Sequence, residues 1–141
     1  MIVVDTNMIS EAMRPEPDAR VMAWLRSQPL GELATTSVTV GEIRYGLARL
    51  GLGRRRAERE ATFEAFVRRG FSGRIYGFDV EAANAYGEIV ASRDRAGRPL
   101  EGFDGLIAAI ARVRGHPIAT RDVADFQGCG VPIINPWDAV P

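Results

Sequence analysis

Three β-branched residues, Ile2-Val3-Val4, open the chain and stop at a polar turn, Asp5-Thr6-Asn7. A short unbroken apolar run predicts a strand buried on both faces, as in a parallel sheet. Thr6 to Met13 reads as the helix that follows, halted by Pro15 and Pro17. Asp18 can cap a second helix, on which Val21, Trp24 and Leu25 share one face. Leu33 to Val38, rich in Thr and Val, predicts a second strand. From Thr39 the apolar positions Val40, Ile43, Leu47 and Leu50 recur at helical spacing until Gly51 and Gly53. Arg54 to Arg69 predicts a charged helix with Phe63, Phe66 and Val67 as its buried stripe, closed by Gly70 and Gly73.

Arg74 to Phe78 is a third strand candidate, and Asp79 caps a helix to about Ala96 with Ala82, Ala85, Tyr86 and Ile89 inward. A loop through Pro99 leads to a helix from Phe103 to Arg114, its core face Leu106, Ile107 and Ile110. Pro117 to Thr120 and Val131 to Ile134 complete a set of five strands, and Asn135-Pro136-Trp137 closes the chain. Strands alternating with helices predict an α/β domain, a mostly parallel five-stranded sheet with helices on both faces. The length, 141 residues, predicts a single domain, 1–141. In such sheets ligands bind beyond the carboxyl ends of the strands, which says where to look for chemistry.

Composition narrows that chemistry. All 18 basic residues are Arg, so a P-loop lysine, a lysine Schiff base and a lysine general base are excluded. The single cysteine, Cys129, forbids an intrachain disulfide and a Cys-rich zinc site, and the single histidine, His116, forbids two-histidine acid–base catalysis. A dinucleotide-binding domain would carry a Gly-rich turn where Asp5-Thr6-Asn7-Met8 stands. The longest purely apolar run, Leu106 to Ala111, is far short of the ~18 residues of a membrane span. The amino terminus lacks the basic n-region of a signal peptide, so a cytoplasmic protein without membrane contact is expected.

Four carboxylates stand where the predicted sheet would gather them. Asp5 ends the first strand, and Asp122 lies just past the fourth. Glu42 falls in the first turns of the helix after strand two, and Asp104 starts the helix before strand four, above the small residues Ala108 and Ala111. Taken singly, Glu42 reads as a solvated helix residue, Asp104 as a helix cap and Asp122 as a turn residue; only Asp5 stands out alone. Together in one crevice they would repel and resist ionisation unless a cation offset them. An all-oxygen donor set points to Mg²⁺ or Mn²⁺ rather than zinc. Asp125 is a possible fifth acid or simply a helix-turn residue.

Asp5-Thr6-Asn7 after a strand, Thr39-Val40-Gly41-Glu42-Ile43-Arg44-Tyr45-Gly46, Phe103-Asp104-Gly105-Leu106-Ile107-Ala108-Ala109-Ile110-Ala111, and Ala119-Thr120-Arg121-Asp122 before Phe126 together resemble a PIN-domain ribonuclease. The likeness runs along the whole chain, is nearest the VapC toxins of bacterial toxin–antitoxin pairs, and at both ends resembles their FitB-type subgroup. It implies a PIN-like three-layer fold and a metal-dependent endoribonuclease, the toxin of a type II system, that hydrolyses RNA phosphodiesters with metal-activated water. Asp5, Glu42, Asp104 and Asp122 match the acidic quartet that binds Mg²⁺ or Mn²⁺; Thr6, Asn7 and Thr120 match its supporting residues. The resemblance also implies a homodimer and a cognate antitoxin whose C-terminal segment crosses the groove. A silent RNA- or protein-binding module and a DNA nuclease remain the alternatives.

Basic residues near these motifs, Arg44, Arg93, Arg95, Arg98 and Arg121, are candidates to hold RNA. Arg54-Arg55-Arg56 with Arg59 is denser, but reads as a solvated helix start balanced by Glu58 and Glu60. Trp24, Tyr45 and Trp137 are assigned to the core over a partner surface, and His116 and Cys129 to structural roles. The net charge is zero, yet setting the quartet aside leaves 14 acidic against 18 basic residues, or +4. Neutrality therefore does not count against a polyanionic substrate.

Overall fold

The computed structural model describes residues 1–29 and 31–139. Its sheet has the order β3-β2-β1-β4-β5, every pair parallel. The strands are β1 (Ile2–Val4), β2 (Leu33–Thr36), β3 (Ile75–Tyr76), β4 (Ile118–Ala119) and β5 (Ile133–Ile134). The chain passes from β1 outward to β2 and β3, then crosses back to β4 on the other side of β1. The connections thus diverge between β1 and β4, the switch point where an open α/β sheet forms a crevice.

Alternation along β1 separates two cores. Val3 and Ile118 face one cluster with Ile89, Ile107, Ile110 and Phe126. Val4 and Ala119 face the other, with Met8, Ile9, Val21, Ile43, Leu47, Phe63 and Phe71. The first layer is built by α5 (Val80–Arg95), α6 (Asp104–Arg114) and α7 (Val123–Phe126); the second by α1 (Thr6–Ala12), α2 (Ala19–Ser27), α3 (Ser37–Ala48) and α4 (Arg54–Gly70). Helices on both faces explain why the central strand carries no polar alternation. A final 3₁₀ turn, Pro136–Asp138, seats Trp137 in the second core. Among the described residues no helix is long and apolar enough to cross a membrane.

The structure departs from expectation mostly at element ends. β2 stops at Thr36 rather than Val38, because the Thr36 hydroxyl accepts the Thr39 N–H at 3.1 Å and caps α3, drawing Ser37 and Val38 into its first turn. β3 is two residues rather than five: Arg74 turns its guanidinium onto the Leu33, Ser72 and Gly70 carbonyls and makes a corner. β4 and β5 are also two-residue strands, and α4 runs through Gly70. Leu50, expected inward, lies beyond the end of α3 and is partly exposed, as is Tyr86. Tyr45 is not a core residue: it is 65% exposed on the outer side of α3.

Thr36 is fully buried, and the helix it caps carries Glu42. Thr36→Ala is expected to lower unfolding free energy by about 1–2 kcal/mol, with Thr36→Ser retaining most of it. Urea unfolding checks this; equal midpoints for the Ala variant and the parent protein would contradict it.

Candidate active site

Three of the four acids stand at the beginning of a helix at the carboxyl edge of the sheet, and Glu42 lies further along, as the sixth residue of α3. Asp5 leaves β1 and caps α1, its Oδ1 accepting the Met8 N–H at 3.0 Å. Its other oxygen, Oδ2, accepts the Thr120 hydroxyl at 2.6 Å, tying the end of β1 to the end of β4. Thr120 Oγ1 in turn accepts the Asp122 N–H at 2.9 Å, so one hydroxyl sets the spacing of two acids. Asn7 Nδ2 donates to Asp122 Oδ2. Thr6 Oγ1 donates to Glu42 Oε1 at 2.7 Å and lies 3.3 Å from Thr39 Oγ1. Asp104 is the first residue of α6, one position inside the cap that Phe103 provides. Helix N-termini favour anions, which offsets part of the crowding.

The offset is incomplete. Asp5 is only 4% exposed, and burial, opposed by Thr120 and Met8 and reinforced by Asp122 and Asp104, raises its carboxyl to about 6. Burial also raises Asp104 to about 6, with Asp125, Glu42 and Asp122 adding repulsion and Arg93 opposing it. Asp125 is therefore part of the same negative field. His116 stands at the amino end of β4, away from this edge.

The donor set fits a hard divalent cation: carboxylates with supporting hydroxyls and an amide, short of positive charge. Among the described residues no three His, Cys, Asp or Glu side chains close into a metal cage. Mg²⁺ does not require such a cage, since it is typically held by one or two carboxylates and keeps several waters.

The basic candidates part company. Arg121 lies 5.6 Å from the Trp137 ring and lines a hollow with Asn7, Arg14 and Asp122. Arg44 faces α4, pairing with Glu64 at 3.5 Å over the Phe63 ring, so it turns from the acids. Arg98 donates to Ala124 O and Gln127 Oε1 and braces α7. Arg93 is buried, its Nε and Nη1 donating to main-chain carbonyls, which places it inside the fold rather than at an RNA contact. The desolvated underside of α7 drew it in, a placement proximity in sequence does not reveal.

A groove of about 570 Å³ runs from Thr6 and Glu42 over Leu47 to Arg14, Arg55 and Arg59. From the sequence, Arg55 and Arg59 are assigned to a solvated helix start, and Arg14 is not considered. Arg54 and Arg56 do pair with Glu58 and Glu60, as expected of a solvated helix start. Arg55 and Arg59 form no salt bridge among the described residues. The missed signal was their own four-residue spacing, a like-charge pair on one helix face.

Comparison with known proteins places this geometry. Residues 2–127 match the PIN domain family. The chain is 40% identical over 138 residues to VapC ribonuclease Y4jK of Sinorhizobium fredii, covering 98% of this chain and 99% of the relative. It is 38% identical over 137 residues to toxin FitB of Neisseria gonorrhoeae, covering 97% and 99%. The solved structure of FitAB bound to an IR36 DNA fragment superposes with a TM-score of 0.92 at 37% identity, covering 100% of this chain and 99% of that one.

The electrostatics give a testable pH dependence. Asp5 has a folded pKa of about 6 against 3.8 unfolded, so the folded state holds its proton longer, and stability is lost as pH rises from about 4 through 6. The full loss is about 3 kcal/mol above pH 7. Asp5→Asn keeps a capping oxygen and removes that loss. In EDTA the variant should match wild type near pH 4 and exceed it by up to about 3 kcal/mol at pH 7.5. His116 titrates in both proteins and cancels. Denaturant unfolding across this range checks it; a difference independent of pH would be wrong for the proposed charge crowding.

Proposed function

The chain belongs to the PIN-domain family, and from that membership we propose that it is a VapC-type ribonuclease, the toxin of a type II toxin–antitoxin pair. The observation that supports the reading most is the four-acid edge at the β1–β4 switch point, built on an all-oxygen donor set in which Asp5 and Asp104 resist ionisation. We assign Asp5, Glu42, Asp104 and Asp122 to hold Mg²⁺ or Mn²⁺, with Thr6, Asn7 and Thr120 supporting them. When bound, such a cation activates a water and offsets charge on the phosphoryl transition state.

The chain's own residues then divide the remaining work. Thr120 and Met8 N–H hold both Asp5 oxygens, so that carboxylate cannot swing away from the crevice. Asn7 and the Thr120 hydroxyl fix Asp122 from the side chain and the main chain. Thr6 orients Glu42 toward the same edge. A phosphodiester seated here has the hollow of Arg121 on one side and the groove of Arg55 and Arg59 on the other. Guanidinium groups suit phosphate by their planar fork of donors.

The antitoxin is part of the same reading, and so is a homodimer. The groove's apolar floor around Leu47 and its arginine rim suit a peptide segment that carries both apolar and acidic residues. A guanidinium from that segment among the four acids would offset their repulsion as a cation does.

Purified protein with Mg²⁺ is expected to cleave cellular RNA and RNA oligonucleotides, to leave matched DNA intact, and to stop in EDTA. Asp5→Asn should lower the rate by at least about 100-fold. Wild-type cleavage by Asp5→Asn, or cleavage that persists in EDTA, overturns the reading; cleavage of DNA alone replaces it with a DNA nuclease. RNA binding without metal and without new ends marks a silent binding module.

A further inference from the structure

Arg93 is 6% exposed, yet it carries a charge that no protein environment removes. It forms no salt bridge among the described residues. Nε and Nη1 donate instead to three carbonyls on two segments. Nε donates to Arg98 O at 2.6 Å, in the loop that leaves α5. Nη1 donates to Asp125 O and Gln127 O, both at 2.8 Å, at the end of α7, and lies 3.8 Å from Cys129 Sγ. Arg98 repeats the link from outside, donating to Ala124 O and Gln127 Oε1.

A buried, permanently charged side chain without a carboxylate partner is costly unless a nearby field compensates it. Three carbonyl dipoles converge on Arg93 here, and Asp104 on the adjacent α6 feels its charge. A four-residue helix has little stability of its own, so its position depends on what holds it. That helix begins at Asp122 and contains Asp125.

We propose that Arg93 is a positioning residue of the active site: it clamps α7, and with it Asp122 and Asp125, to the end of α5. The inference rests on the ribonuclease reading for its link to turnover, but the clamp itself is a property of the chain alone.

Two variants test it. Arg93→Met keeps the stem and loses charge and fork; Arg93→Lys keeps charge but cannot span the two segments. In metal-free protein, hydrogen exchange of the amides in 122–130 should rise about 10-fold or more in both variants, as expected when bonds to a charged group are lost, while β1 and α6 stay protected. With RNA, kcat should fall about 10–100-fold at unchanged KM, less for Lys than for Met. Should Arg93→Met not fold, Arg93→Lys carries the exchange comparison by itself. Unchanged exchange in 122–130 overturns the clamp, and a raised KM at unchanged kcat returns Arg93 to the RNA contacts. Local loosening of 122–130 in a wild-type background that cuts no RNA upholds the clamp and rejects the ribonuclease reading instead.

Discussion

The rest of this molecule is arranged around the crowding of like charge at one edge of a sheet. Parallel pairing of β1 with β4 makes Asp5 and Asp122 neighbours, and helices that start at the same edge bring Glu42 and Asp104 to them. Burial first, and repulsion from the neighbouring acids after it, raise the carboxyls of Asp5 and Asp104. The fold answers with donors: the Met8 amide, the Thr6 and Thr120 hydroxyls and Asn7. These hold the acids in place without neutralising them. A cation that binds only the folded edge would therefore also stabilise the fold, so metal occupancy and stability are linked quantities here.

The same donors explain why the edge is rigid where the strands are so short. β4 has two residues, too few to set a register by pairing alone. Thr120 supplies what the ladder lacks, bonding across to Asp5 and along to Asp122. Thr36 does similar work one strand over, where its hydroxyl ends β2 and begins α3. Both are fully buried threonines at strand ends, positions where a β-branched residue favours the strand and its oxygen can serve the turn that follows.

Much of this was legible in the sequence, for identifiable reasons. The β-branched run before Asp5 declares both a buried strand and its carboxyl end, and helical spacing around Ile43 and Leu47 places Glu42 near a helix start. What spacing cannot convey is which layer a charged side chain enters. Arg93 shares its helix face with Ile89, four residues earlier, and both are buried; proximity to the motifs instead suggested an RNA contact. The error at Tyr45 is the reverse: an aromatic residue in an apolar stretch turned outward because Ile43 and Leu47 already fill the face toward the core. Short strands at the sheet's margins escaped for a different cause, since side chains such as that of Arg74 compete for the carbonyls at their ends.

Arginine as the only basic residue acquires meaning from these placements. A lysine at position 93 could not join Arg98 O to Asp125 O and Gln127 O, because that requires a planar fork of donors rather than a point charge. Arg55 and Arg59 keep their forks free at the far end of the groove. One residue type thus braces α7 from inside the fold and lines the open groove outside it. On the proposed reading, RNA and antitoxin compete for that same rim, and the zero net charge of the chain conceals an acidic edge and an arginine-lined groove that meet at Glu42. Inhibition then needs no remote conformational change: a segment that fills the groove and places a cation among the acids would remove the substrate's path and the metal's site together.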